Sequence, residues 1–561
     1  MTISRKVRSA ALALAIVGAG VAAYWPALQA GFVWDDHFLL GEAAVARGPL
    51  WRIWFSGDAT DYWPLTWTTL WAEVRVWGDS PAPYHLANVA LHVAASLMLW
   101  RLLAALPVPG AALAGLLFAV HPVGVESVAW VSERKNVLSA VFFFGSLLAW
   151  ARFDDGGRRR DASISFSLYL LALLAKTSVV MLPFVQLGIA LYRRRTITRR
   201  DLARAAPFFL LSALFGAATW WFQNENVVRG EIAQRGLAER MAGSAWALGS
   251  YLQKAFLPVE LAIVYPRWPV DPASPAFWIP AVLLVVGVCV AWALGRRAWA
   301  RPALFSLGYH ALMVLPILGL LDMAYFAVGP VSNHLQYLAL AAPAALAGAG
   351  VALLYRRRRG LAVGAGVALV LALAVQTHRR AAAFEDDLRL WEAAVRESPR
   401  SLYAALAFSQ EVGARTTVAD ALDQLTAFID RSPDEADRHL ARAYWLVHMK
   451  LPAEAASEAI AGELIRPDVQ RQIEIAKRMV NSGYLADAMR VLNLQVERAP
   501  RSADVRYWLA AALVRSGHPE EARQVVLDGL RVSPRDRKLQ RTLTFLDEKS
   551  RSAPRPGEVA R

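Results

Sequence analysis

Eleven apolar stretches punctuate the first two thirds of the chain, at 9–28, 84–105, 107–123, 136–152, 162–175, 177–192, 206–222, 277–295, 303–322, 335–355 and 361–377. A helix that crosses a bilayer needs roughly 17–25 apolar residues, so most of these predict spanning helices, and the short ones pair as tilted or broken helices. Between them lie short basic runs: Arg158 to Arg160, Arg193 to Arg195, Arg199 and Arg200, Arg296 and Arg297, and Arg356 to Arg359. With Arg5, Lys6 and Arg8 placed in the cytoplasm, alternation puts all of these runs on the cytoplasmic side, as the distribution of Lys and Arg in membrane proteins requires. The weaker stretch 241–264 then has to stay out of the count. Its Lys254 and Pro258 suit a re-entrant or interfacial segment that lines a cavity. About eleven crossings follow, with the N-terminus inside and the C-terminus outside. The first apolar stretch also resembles a cleavable signal peptide, but an uncleaved anchor is the reading adopted.

Beyond about residue 381 the pattern changes. Pro399, Pro433, Pro467, Pro500 and Pro534 are spaced 34, 34, 33 and 34 apart, and Ala421, Ala455, Ala488 and Ala522 each stand twelve residues before the last four. Gly483 and Gly517 mark a turn inside the last two units. This is the tetratricopeptide (TPR) period of two antiparallel helices with small residues where they cross. About four such units, preceded by the half-unit "EDDLRLWEAAVRESP", would stack into a short superhelix. Its groove would hold peptide; a rigid spacer or oligomerisation arm is the alternative. The predicted organisation is a membrane domain over 1–381, a TPR solenoid over 382–549 and a disordered tail over 550–561.

Composition agrees with a membrane protein: 56% of the 561 residues are hydrophobic and 21 are Trp. The net charge of +15 comes from 61 Lys and Arg against 46 Asp and Glu, and because it lies between apolar stretches it reports topology and not a nucleic-acid partner. The one cysteine, Cys289, excludes an internal disulfide and a cysteine metal cluster.

Parity brings several polar clusters to one face. Asp35 and Asp36 in "QAGFVWDDHFLL" open a long Trp-rich outer loop, predicted to lie in the interface as an amphipathic helix. Adjacent carboxylates near a boundary repel, and at a partly desolvated site one of them takes a raised pKa. A helix N-cap or a solvated loop is the plainer alternative. "FAVHPVGVESVAWVSERKNVLS" carries His121, Glu126, Glu133, Arg134 and Lys135, whose cations could hold a headgroup phosphate or simply snorkel. Lys176, flanked by apolar runs, is costly unless it pairs or faces a cavity. His85, Asn88 and His92 share one helix face; the two histidines stand about 10 Å apart along the axis, too far to chelate one ion, so hydrogen bonds between helices are their expected role. "VSNHLQY" adds His334, Gln336 and Tyr337 for a sugar, a phosphate or the interfacial belt. "QNENVVRGE" falls on the same face. No Gly-rich phosphate loop, HExxH or nucleophile elbow is present, so a sugar transferred outside the cell would need a membrane-borne donor.

The series "FVWDDHFLL", "YWPLTWTTLW", "YHLANVALH", "LLFAVHPVGVESVAWVSERKNVLSAVFF", "LLALLAKTSVVMLPF", "YLQKAFLPVELAIVYPRW" and "VSNHLQYLAL", followed by the 34-residue period, resembles the transmembrane-and-TPR O-mannosyltransferases and their bacterial relatives, within the GT-C superfamily of lipid-dependent glycosyltransferases. The resemblance runs across nearly the whole chain. It implies an all-α, polytopic GT-C-like membrane domain followed by a TPR α-solenoid on the outer face, in a bacterial inner membrane. It also implies a polyprenyl-phosphate sugar donor, commonly mannose, and transfer with inversion to Ser or Thr hydroxyls of exported proteins. By that resemblance Asp35 and Asp36 are catalytic, one as general base and one as its support, and Arg134, Lys135, Lys176 and His334 neutralise the donor phosphate. The chain departs from the expected pattern at Asn136 and Asn333, where relatives often carry Asp, at Thr177, where many eukaryotic members carry Glu, and at Leu340, in place of an expected small or proline-containing turn. These departures leave the sugar and any divalent cation open. Transfer to an envelope glycan or lipid, and a non-catalytic TPR scaffold, are the competing expectations.

Overall fold

The computed structural model describes residues 5–42, 48–55, 62–223, 236–294, 300–321, 323–431, 434–534 and 536–552. All of "QNENVVRGE" beyond Gln223, and most of the expected tail, fall outside these residues. Among the described residues every regular element is a helix, so the all-α expectation holds. The chain divides into two compact units, one of Met1–Phe222, Gly236–Leu321 and Pro330–Glu397, the other of Gln223–Arg235, Asp322–Gly329 and Ser398–Arg561.

The first unit is polytopic. Among the described residues seven helices are long and apolar enough to cross a membrane: Lys6–Ala23, Pro81–Ala105, Val131–Gly156, Arg199–Phe222, Pro275–Ala293, Asn333–Arg357 and Arg359–Phe384. The pair Ala111–Ala119 and Pro122–Ala129, bent by 48°, makes an eighth if counted as one span. The remaining three of the eleven apolar stretches fold as shorter helices of 17, 13 and 15 residues, Arg159–Ala175, Leu182–Arg194 and Ala300–Val314. At 1.5 Å per residue these reach about 20–26 Å, short of a hydrocarbon layer of about 30 Å. The backbone explains the shortening. Lys176 is fully extended between the first two, at φ −160° and ψ 128°, and a 3-10 turn containing Pro316 ends the third. The stretch 241–264 contains the helix Leu237–Phe256, which is not among the helices apolar enough to cross. Its Lys254 ammonium is bound by the carbonyl oxygens of Val259 (3.2 Å) and Glu260 (2.9 Å).

Close packing relies on small residues. Gly110 adopts a left-handed backbone, φ +71°, and a Cβ built on it would clash with the Gly348 carbonyl. The two glycines therefore let the Ala111–Ala119 and Ala341–Arg357 helices meet backbone to backbone, the usual device where lipid supplies no hydrophobic drive.

In the second unit, short helices of 13 or 14 residues pack in sequential pairs: Leu402–Arg415 on Val418–Arg431, Glu435–His448 on Pro452–Ile465, Val469–Asn481 on Leu485–Arg498, and Ala503–Arg515 on Pro519–Val532. Ala455, Ala488 and Ala522 are wholly buried, as their repeat position requires. Gly483 and Gly517 take φ +87° and +88° with open space around the missing Cβ, so they are there for the turn and not for room. The helix Asp387–Glu397, which the period assigned to a half-unit, belongs to the first unit: the division falls at Glu397, later than the drop in hydropathy.

Candidate active site

The first spanning helix stops at Ala23, a 3-10 turn over Trp25–Gln29 carries Pro26, and an irregular stretch ending in a turn at Trp34 leads to the two aspartates. Their surroundings differ. Asp36 is wholly buried. Its Oδ2 accepts the Val33 N–H (3.2 Å), and its Oδ1 accepts both the Ser132 N–H (2.7 Å) and the Ser132 hydroxyl. Asp36 thus staples the acidic loop to a turn 96 residues away. Asp35 is only half-buried, and its Oδ1 has no hydrogen-bond partner among the described residues. Burial, then the charge of Asp35, pushes the Asp36 carboxyl up to about 7, against the three donors that favour its ionised form. Burial also raises Asp35; the Lys135 ammonium pulls it down and the Glu133 carboxylate pushes it up. Two neighbouring carboxyls so placed do not both ionise easily.

Ser132 lies in a turn between Val125–Ala129 and the long helix that begins at Arg134. That turn carries a second charged group. Glu133 receives the Lys135 ammonium on Oε1 (2.5 Å) and the Asn136 amide on Oε2 (2.6 Å). Lys176 stands 3.8 Å from Glu133 Oε2 and donates to Asn136 Oδ1 at 2.5 Å. His334 Nε2 lies 3.8 Å from Glu133 Oε1, while its Nδ1 meets Ser332 Oγ (2.6 Å) and Glu126 Oε2 (3.2 Å). Glu126 also accepts from Ser332 Oγ, Asn333 Nδ2 and the His334 N–H. Several contributors sit at breaks in regular helix, in the Trp130–Glu133 turn, at the extended Lys176 and in the 3-10 run Asn333–Leu340, while Glu126 and Lys135 stand in the first turns of the helices Val125–Ala129 and Arg134–Gly156. Backbone irregularity inside an apolar bundle is tolerated where it lines a polar site, which is how distant stretches deliver charges to one place. Trp63 completes one wall, its ring 4.9 Å from the Lys135 ammonium.

The structure thus gathers Asp35, Asp36, Glu126, Glu133, Lys135, Lys176 and His334. Arg134 does not join them, and its expected place on the donor phosphate is corrected here. It is 1% exposed, and its guanidinium is fully engaged by Glu73, by Asn88 Oδ1 (2.5 Å) and by the Tyr84 carbonyl (2.9 Å). Neighbouring positions at the start of this helix point about 100° apart, and Lys135 meets Glu133 and the Ser132 carbonyl instead. His92 and Tyr337 are likewise drawn into packing: His92 Nδ1 meets the Tyr337 hydroxyl (2.6 Å) and Nε2 the Ala119 carbonyl (3.0 Å), within an aromatic group that includes Tyr24 and Phe118. His121 bonds Val123 N–H and the Ala255 carbonyl. His85 Nε2 meets the Gly31 carbonyl (3.1 Å), anchoring the approach to the acidic loop. Gln336 is buried with Oε1 unmatched. Sequence reasoning missed Ser132 and Glu73, a small polar residue inside a charged motif and a lone acid in a Trp-rich helix.

Chemically, the arrangement offers an unmatched carboxylate oxygen on Asp35, within the field of Lys135 and Glu133, and two ammonium groups, Lys135 and Lys176, that both approach Glu133. Among the described residues no group of three His, Cys, Asp or Glu side chains is placed to hold a metal ion.

No protein-family model matches the chain. It is 31% identical over 150 residues to Protein O-mannosyl-transferase TMTC3 of Homo sapiens, covering 24% of this chain and 16% of that protein. It is 27% identical over 240 residues to Protein O-mannosyl-transferase TMTC2 of Mus musculus, covering 37% and 29%, and 32% identical over 181 residues to Protein O-mannosyl-transferase Tmtc2 of Drosophila melanogaster, covering 28% and 19%. The matches span less than a third of the length of each of these relatives. Over part of its length, then, this polytopic helical chain is similar to proteins named for the transfer of mannose to protein hydroxyls.

Proposed function

We propose that the chain is a membrane glycosyltransferase that moves a sugar, mannose by the analogy of its relatives, from a polyprenyl-phosphate donor to Ser or Thr hydroxyls of exported proteins. The observation that carries this reading is the unmatched Asp35 Oδ1 beside the Lys135, Lys176 and Glu133 cluster. Asp35 takes the proton of the acceptor hydroxyl as that oxygen bonds to the anomeric carbon. The bond from the anomeric carbon to the phosphate oxygen breaks on the opposite face, so the configuration inverts. The lipid phosphate leaves with the electron pair, and its charge is met by Lys135, Lys176 and His334, fixed donors in a site of low dielectric. Asp36 keeps the loop in place through Val33 and Ser132. In this reading the site and the 34-residue repeats face the outer side of a bacterial inner membrane, and the repeats present the acceptor.

The test uses the full chain in nanodiscs with labelled polyprenyl-phosphate-mannose and Ser/Thr peptides of exported proteins, read by mass spectrometry. A general base contributes about 10²- to 10⁴-fold, and Asp35→Asn is expected to lose that much turnover. Asp36→Asn, which can still accept from Ser132, is expected to lose about tenfold. Equal activity in Asp35→Asn and wild type, or no hexose transfer to peptide by wild type, overturns the reading; transfer to added glycan or lipid in the latter case points to a different acceptor.

A further inference from the structure

The proposed base stands on a strained piece of backbone. Trp34, immediately before Asp35, has φ +54°, a left-handed conformation that bulky residues adopt only when the surroundings enforce it. Most of the enforcing contacts come from residues 385–391, and the side-chain bonds among them span 350 and 353 positions of sequence. The Trp34 N–H donates to Asp387 Oδ1 at 2.7 Å. The other oxygen of the same carboxylate, Oδ2, meets His37 Nε2 at 2.7 Å. The Gly31 N–H donates to the Glu385 carbonyl at 2.8 Å. The Trp34 ring lies flat on Trp130 (4.7 Å, 8°) and meets Trp391 edge-on (4.8 Å, 63°).

One carboxylate therefore brackets Asp35 and Asp36, gripping the residue before them and the residue after them. We infer that Asp387 is a positioning residue for Asp35: by fixing the Trp34 amide and the His37 ring it sets the direction in which the Asp35 side chain leaves the backbone. The inference rests on Asp35 as the base, and it adds that the base is aimed by the helix Asp387–Glu397, which follows the last spanning helix. Without the clamp Trp34 is free to relax toward ordinary backbone angles, which rotates Asp35 away while leaving the lysines that would hold the phosphate untouched.

The experiment compares full-length Asp387→Ala, Asp387→Asn and His37→Ala with wild type and with Glu392→Ala, an exposed control on the same helix. Steady-state transfer and amide hydrogen exchange of residues 31–39 are both read. Displacement of a reacting group by about 1 Å costs about 10²-fold, and Asp387→Ala is expected to lower kcat by about 10- to 100-fold with KM for the donor unchanged. Exchange at 31–39 should accelerate. Asp387→Asn keeps an oxygen for the Trp34 amide and should recover most of kcat, which a general loss of stability would not predict. His37→Ala should fall between, and combining Asp387→Ala with Asp35→Asn should cost no more than Asp35→Asn alone. Unchanged kcat and exchange in Asp387→Ala, or a rise in KM alone, overturns the inference. If Asp387→Ala does not fold, Asp387→Asn and His37→Ala decide it by the same readouts. If wild type transfers no sugar, the proposed function has failed, and exchange alone judges the clamp: unaltered protection in the variants then overturns it.

Discussion

Asp36 uses both carboxylate oxygens on donors from Val33 and Ser132, whereas Asp35, one residue earlier, leaves Oδ1 unmatched beside Lys135 and Glu133. That contrast makes a pH prediction with a definite sign. A base acts only when ionised, so kcat/KM should rise with pH through the Asp35 pKa, which burial has raised above the usual carboxylate range. Lys135 pulls this pKa down, so Lys135→Met should move the ascending limb to higher pH. Glu133 pushes it up, so Glu133→Gln should move the limb to lower pH. Measured profiles in which both shifts run in the same direction would remove Asp35 as the titrating base. Seven of the candidate residues could be read from sequence because a charge in apolar surroundings needs a reason. Arg134 misled for the same cause: a buried cation looks alike in sequence whether its partner is a ligand phosphate or the carboxylate of Glu73. Ser132 and Asp387 were not legible at all, since their importance arises only when the fold brings them to residues 96 and 353 positions distant.

Helix lengths decide more at the next scale than hydropathy does. All eleven apolar stretches were visible in the sequence, but three became helices of 17, 13 and 15 residues, because Lys176 and Pro316 sit where the chain leaves the helical path. Hydropathy averages over such breaks and does not register them. The Trp-rich loop shows the same limit. Its helix, Pro64–Trp77, begins with Pro64 at the first turn and was expected from amphipathicity, but what fastens it was not. Thr66 Oγ donates to the Ala175 carbonyl, and Glu73 pairs with Arg134, whose side chain is 1% exposed. Removing one member of a buried pair leaves an uncompensated charge and costs about 3–5 kcal/mol, so Glu73→Ala should lower the unfolding midpoint in detergent sharply. Replacing both partners, Glu73→Leu with Arg134→Met, should recover most of the loss, because the burial cost of the ions disappears with them. A midpoint unaffected by Glu73→Ala would mean that the pair does not fasten the helix.

Across the whole molecule, the place where the first unit ends carries a consequence for the site. Hydropathy puts the end of the membrane domain near 381, yet the compact unit runs on to Glu397, and the added stretch contains Glu385, Asp387 and Trp391, all in contact with the acidic loop. The Asp387–Glu397 helix is held by more than those contacts: Leu390 and Trp391 are buried, and Glu397 pairs with Arg380 at 3.0 Å, which in turn donates to the Leu261 carbonyl. Since these partners all lie in the first unit, a chain cut after Glu397 should keep the helix seated, whereas a chain cut after Ala381 loses the helix itself and with it Glu385, Asp387 and Trp391. Hydrogen exchange of 31–39 in the two truncations therefore separates the two boundaries. Protection matching the full chain is expected in the longer piece, and fast exchange in the shorter one, even where both retain helical circular dichroism and a cooperative melt. Equal loss of protection in both pieces would instead make the helix dependent on residues beyond 397. Equal retention would mean that the loop is held without Asp387, and would fall on the positioning role as well as on the boundary.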